Sequence, residues 1–176
     1  MRVLLDKNIV RAAIGGLRFG SRRPLLPAEF SALTFWRAAE STDPPLQLFI
    51  PYTTAHILTP LATYAEVRLM LQATAALWPG PYARRWQRRV RETTGLTSED
   101  SMILALGTFG TNITGTILGT HLVVTADQRL LNGYQRWSEQ LRQRLHRMRA
   151  QLVAPFDQVV LPRVRLPEEA LAELSM

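Results

Sequence analysis

The sequence contains no cysteine, which excludes disulfides and thiolate metal sites. It has almost no lysine: Lys7 is the only one among 21 Lys and Arg residues. No apolar run approaches the roughly 18 residues needed to span a bilayer. Only Val3-Leu4-Leu5 separates Arg2 from Asp6, too little for the apolar stretch of a secretory leader. There is no glycine-rich phosphate loop of the P-loop or dinucleotide type, no internal repeat and no low-complexity segment. A soluble, cytoplasmic protein without a membrane partner is expected. At 176 residues, of which 47% are hydrophobic, the chain is long enough for one domain with a full core.

Acids are scarce relative to bases: 14 Asp and Glu against 21 Lys and Arg give a net charge of +7. Arginine grips phosphate through a bidentate fork and stacks on bases, so nucleic acid or an acidic protein is the expected kind of partner. GC-rich codon usage explains the ratio of Arg to Lys but not the excess of bases over acids. Arg84, Arg85, Arg88 and Arg89, with Arg91 close behind, make one helix face strongly positive. Arg142, Arg144, Arg147 and Arg149 make a second patch. A run of charge is usually a solvated face; with only Glu92 near the first cluster, phosphate contact is the competing reading.

Apolar runs bounded by turn residues alternate with helical periodicity along the chain. Strands are expected at Val3–Leu5, Leu46–Ile50, His121–Thr125 and Gln158–Leu161, with weak strand character over Ile113–Leu118. Gly15-Gly16 and Gly20–Pro24 read as loop. Helices are expected at Pro27–Ala39, Thr54–Leu77 (with Pro60 kinking or splitting it), Tyr82–Thr93, Ser101–Leu106 and Gln128–Gln151. Pro167-Glu168-Glu169 opens a last one, with Pro at the first position and acids in the first turn. Strands alternating with helices predict an α/β fold, a mostly parallel central sheet with helices on both faces.

Three acids share one structural address. Asp6 and Asp127 each follow a strand, and in open α/β sheets ligands bind beyond the carboxyl ends of the strands. Asp100 lies in the first turn of a helix. Each also has a plain explanation: Asp6 and Asp127 as helix N-caps, each contributing about 1 kcal/mol, and Asp100 as a charge favouring the helix dipole.

Their contexts point further. Leu4-Leu5-Asp6-Lys7-Asn8-Ile9-Val10, Glu99-Asp100-Ser101-Met102-Ile103-Leu104-Ala105 and Leu122-Val123-Val124-Thr125-Ala126-Asp127, in that order, resemble the PIN-domain family, metal-dependent nucleases that include the toxins of bacterial toxin–antitoxin pairs. Leu161-Pro162 and Pro167-Glu168-Glu169-Ala170-Leu171 are similar to the family's closing strand and helix. The resemblance covers most of the chain, residues 1–176 as a single PIN-like three-layer domain, with a basic helical insertion around 131–154. It implies that Asp6, Asp100 and Asp127 are catalytic acids binding Mg²⁺ or Mn²⁺, Asp127 directly or through water. Asn8 and Thr125 would support them by hydrogen bonds, and Arg84, Arg85, Arg88, Arg89, Arg142 and Arg144 would contact RNA. Hydrolysing a phosphodiester with such ions requires converging oxygen ligands.

Two positions depart from the family pattern. Where a further Glu is usual, after the second strand, stands His56, either an ordinary helix histidine or a ligand for Mn²⁺ or Zn²⁺ and a poor one for Mg²⁺. Glu66 lies about ten residues further on, roughly 15 Å along a continuous helix, and Glu99 points about 100° away from Asp100. Lys7 replaces a small hydroxyl residue; it either pairs with the carboxylates or meets the scissile phosphate. The resemblance thus implies a metal-dependent endoribonuclease, a toxin with a cognate antitoxin and a homodimer among its expected partners. The alternative is a catalytically weakened PIN-like domain serving as an RNA-binding or protein-interaction module. An aspartyl-phosphate enzyme using Asp6 would want a second acid beside it, which Lys7-Asn8 does not supply.

Overall fold

A computed structural model describes residues 1–174. The order of elements is β1 (Arg2–Leu5), α1 (Lys7–Phe19), α2 (Pro27–Ser41), β2 (Gln47–Pro51), α3 (Tyr52–Leu58), α4 (Ala65–Ala73), β3 (Ala75–Pro79), α5 (Ala83–Thr94), α6 (Ser98–Phe109), β4 (Gly110–Thr111), β5 (Leu122–Val124), α7 (Gln128–Arg149), β6 (Arg163–Arg165) and α8 (Pro167–Leu174). The six strands form one sheet in the order β4-β3-β2-β1-β5-β6. β1 pairs in parallel with β2 and β5, and β2–β3 and β5–β6 are also parallel. β3–β4 is antiparallel, so the sheet is mixed. No helix among the described residues is long and apolar enough to cross a membrane.

The central strands β1, β2 and β5 are apolar on both faces because both faces are covered. Side chains alternate across a strand, and the central strand divides accordingly. Leu4 joins Phe49, Leu77, Val123 and Val164 in one core with α5, α6 and α7. Val3 and Leu5 join Leu48, Ile50, Leu122 and Val124 in the other, with α1, α2, α4 and α8. Trp86 of α5 is fully buried, and its indole N–H donates to Thr108 Oγ1 at 3.2 Å.

Several expected boundaries shift, each for a physical reason. Gly15-Gly16 is not loop but the last turns of α1. The missing side chain lets α2 approach: a Cβ on Gly16 would lie 2.6 Å from Leu33 Cδ1. The long helix expected over Thr54–Leu77 is broken into α3, a 3₁₀ turn at Thr59–Leu61 and α4. Pro60 lacks the N–H that would continue the ladder. Ala75–Pro79 then pairs with β2 as a strand that periodicity missed. Ile113–Leu118 is no strand: Ile113 is 85% exposed, and β4 is only Gly110–Thr111. The expected strand at Gln158–Leu161 moves to Arg163–Arg165, where Val164 is buried between β5 and α7. The basic segment expected as one or two helices is a single helix of 22 residues, α7.

Candidate functional site

The β1 strand delivers Asp6 to the C-terminal edge of the sheet, where its N–H donates to Val124 O at 2.9 Å. The residue is 4% exposed. Its Oδ1 accepts from the Lys7 N–H at 2.7 Å and its Oδ2 from the Thr125 hydroxyl at 2.8 Å. An N-cap ordinarily accepts from the second or third helical N–H. Asp6 accepts only from the first, so it is a weak cap placed in an apolar setting. Burial pushes its carboxyl above the usual range, and the nearby Asp127 adds to the rise; the bonds from Thr125 and Lys7 partly oppose it.

Thr125 is the strut between the two acids. It is fully buried, and its own N–H is held by Arg165 O at 3.0 Å. Its Oγ1 accepts from the Asp127 N–H at 2.9 Å. That bond leaves the single hydroxyl proton aimed at Asp6. Asp127 is a true N-cap of α7: Oδ1 accepts from the Arg129 and Leu130 N–H groups at 2.8 and 3.2 Å. Among the described residues its Oδ2 has no partner.

Asp100 is half-buried and caps nothing. Thr97 is the N-cap of α6, and its side chain accepts from the Asp100 N–H at 3.1 Å. The Asp100 carboxylate has neither hydrogen bond nor ion pair among the described residues. Its neighbour Glu99 pairs instead with Lys7, which ties the start of α6 to the start of α1 and draws the Lys7 ammonium to Glu99. The Asn8 side chain makes no hydrogen bond among the described residues; the Asp6 carboxylate is held by the Thr125 hydroxyl and the Lys7 N–H.

Comparison with protein-family models, with curated proteins and with solved structures returned no match. The residues themselves define what the site can do. A cleft of about 830 Å³ opens beside Lys7, between α1, the α3–α4 turn and the start of α6. Val10, Ile14, Ile57, Leu61, Tyr64 and Met102 supply its apolar wall, and Arg11, Arg18, Glu66 and Glu99 its charges. Asp6 and Asp127 lie close enough to repel each other. Among the described residues no three His, Asp or Glu side chains converge at metal-ligand spacing.

His56 is exposed on α3 and does not line the cleft; Thr53, Thr54, Ile57 and Leu58 of that helix do. Glu66, by contrast, does line it, 3.6 Å from Arg18. The break at Thr59–Leu61 folds α4 back against α1 and returns Glu66 to the cleft. Pro60, in the 3₁₀ turn, is the signal of this break in the sequence.

Of the arginines, Arg84, Arg85 and Arg88 are exposed on α5 and Arg89 is half-buried. Arg142 pairs with Glu139 at 3.0 Å within α7. Arg144 leaves α7 on another side and reaches to 3.8 Å from Glu92 of α5.

Proposed function

We propose that this chain is a PIN-like, three-layer α/β domain acting as a metal-dependent endoribonuclease. The observation that carries the reading is the state of Asp6. A buried carboxylate that hardly caps its helix, braced by a buried hydroxyl and set beside a second carboxylate, is unfavourable for folding alone. An acid raised by burial and by a neighbouring carboxylate, at a strand end, is a candidate for a functional site. Asp127, beside it, has one oxygen free of the helix it caps, and Asp100 at the start of α6 has an unpartnered carboxylate among the described residues, though the three acids do not converge in this structure.

The donor set suits a hard cation. Asp6 and Asp127, the two acids shown close together, offer only carboxylate oxygens, and Mg²⁺ is commonly held by one or two carboxylates, with water and substrate phosphate completing its shell. Such an ion, when bound, polarises a phosphodiester and supplies water of lowered pKa. The chain's own part is placement. Thr125 holds the Asp6 carboxylate in one rotamer and donates to it, while the Asp127 cap keeps its second oxygen turned from the helix. The excess of arginine suits a polyphosphate substrate. A cytoplasmic toxin with a cognate antitoxin, or a homodimer, belongs to the same reading.

The test follows melting temperature against Mn²⁺ and Mg²⁺ for wild type and Asp100→Asn, then cleavage of RNA by both. A ligand binding only the native state adds about 2.7 kcal/mol at a hundredfold excess over Kd. A shift and a nuclease activity that both vanish in Asp100→Asn support the reading; cleavage by Asp100→Asn and Asp127→Asn equal to wild type ends it. A second reading, a weakened domain that binds RNA without cutting it, is favoured by the outward His56 and by the Lys7 ammonium at the cleft edge. Under it, RNA binds but neither metal shifts the melting temperature.

A further inference from the structure

The arginines of α5 and α7, separate in sequence, meet in the fold. α5 packs on α7, and Arg144 of α7 comes to the same carboxylate, Glu92, that Arg88 approaches at 3.8 Å. Arg85 and Arg89 complete the group, and neither has a carboxylate partner among the described residues. Four guanidiniums thus gather with one acid, Glu92, which Arg88 and Arg144 flank and whose charge reaches Arg89. Burial holds the Arg89 guanidinium below its usual range, and the like charges of Arg85, Arg144 and Arg88 add to the effect. A solvated face would spread such charges or match them with acids one turn away. Here two helices concentrate them, and folding is opposed by the repulsion. Arg142 is outside the group: it is two residues, about 200° of helix, from Arg144 and is paired with Glu139.

We infer that Arg85, Arg88, Arg89 and Arg144 form a single ridge that binds the phosphate backbone of single-stranded RNA. The choice of RNA rests on the nuclease reading above; the ridge itself rests on the convergence of the two helices. Arg88 and Arg144 share the single carboxylate of Glu92 at 3.8 Å, which leaves N–H groups of all four guanidiniums for bidentate contact with phosphate oxygens. Asp127 and Arg144 lie at the two ends of 17 residues of α7, about 25 Å at 1.5 Å per residue. The ridge therefore grips the strand away from the acids and sets affinity rather than the rate of cleavage.

The experiment measures binding of a labelled single-stranded RNA by anisotropy in EDTA, over a series of KCl concentrations. It compares wild type, Arg85→Ala/Arg88→Ala/Arg144→Ala, the matching triple lysine variant, and a control of equal net charge, Arg22→Ala/Arg37→Ala/Arg68→Ala. Each phosphate contact on a single strand contributes about 0.7 to the slope of log K against log salt, so losing three should reduce the slope by about 2. Wild type should then lose about twentyfold more affinity than the ridge variant between about 50 and 200 mM salt. The lysine variant should recover the slope, and the control should keep it. An unchanged slope in the ridge variant, an equal loss in the control, or no RNA binding by wild type overturns the proposal. Arginine-dependent capture of polyglutamate in place of RNA also overturns it and assigns an acidic protein to the ridge. RNA bound through the ridge but cleaved with neither Mg²⁺ nor Mn²⁺ removes the nuclease reading and leaves the ridge standing. Cleavage by wild type with an unchanged slope in the ridge variant does the reverse.

Discussion

Replacing Thr125 with valine should be among the most damaging isosteric changes in this protein. Valine keeps the β-branched shape and the buried volume, so neither the β5 end nor the packing is disturbed. What is lost is the hydroxyl, which donates to Asp6 Oδ2 at 2.8 Å and accepts from the Asp127 N–H at 2.9 Å. A hydrogen bond to a charged group contributes about 1.5–3 kcal/mol and a neutral one about 1 kcal/mol. Thr125→Val should therefore destabilise by about 2–4 kcal/mol at pH 7. The cost depends on pH with a definite sign. Burial already raises the Asp6 carboxyl above its ordinary 3.8, and removing its donor raises it further. A group whose folded pKa is raised binds protons better in the native state, so the deficit is full above the variant's folded pKa and shrinks as pH falls from there to the wild type's own, which is itself above 3.8. Urea unfolding at neutral pH and along the acid limb measures both parts. Thr125→Ser, which keeps the hydroxyl, should lose only about 1 kcal/mol for the missing methyl. In an Asp6→Asn background the valine should cost about 1 kcal/mol, since no charge is left unsatisfied. A Thr125→Val cost no larger than that of Thr125→Ser, or one that does not change with pH, would refute the account of Thr125 as the strut beneath Asp6.

Asp6→Asn should flatten the pH dependence of the melting temperature between about pH 7 and 4, because the raised Asp6 carboxyl makes the wild type lose stability as pH rises through its folded pKa; an unchanged dependence would contradict the idea that burial strains Asp6. Glu29 behaves oppositely. The Arg23 guanidinium, helped by the Leu26 N–H, lowers its carboxyl from 4.5 to about 2. That pair stabilises the α1–α2 corner above pH 4.5 and is lost as pH falls toward 2, so Arg23→Ala should flatten this part of an acid-denaturation curve followed by circular dichroism. Gly119 and Gly95 both sit at positive φ, +60° and +68°, but a Cβ on Gly119 would lie 2.6 Å from Thr108 O while one on Gly95 would meet nothing within 4 Å. Gly95→Ala should cost about 1–2 kcal/mol for the left-handed backbone alone, and Gly119→Ala clearly more; equal losses in chemical denaturation would mean that the Gly119 turn simply moves aside.

The sequence by itself determined the elements whose signals are local. The apolar strands at Val3–Leu5 and Leu122–Val124, the Thr97 cap of α6, Gly95 at the end of α5 and Pro167 at the start of α8 are all readable from neighbours a few residues away. The strand-end positions of Asp6 and Asp127 follow from the same signals, because a strand that stops at a polar residue must place it at the sheet edge. Tertiary structure decided what depends on partners distant in the chain. Ala75–Pro79 is a strand because β2 offers a free edge, although its own pattern continues the preceding helix. Glu66 reaches the cleft because the chain breaks at Thr59–Leu61, while His56 is exposed on α3, whose Thr53, Thr54, Ile57 and Leu58 face the cleft instead. Whether an aspartate caps or serves a site depended on which N–H groups its oxygens met: two of α7 for Asp127, one poorly placed for Asp6, none for Asp100. Two arginine runs more than 50 positions apart became one surface only when α5 packed on α7, a juxtaposition that no local pattern encodes.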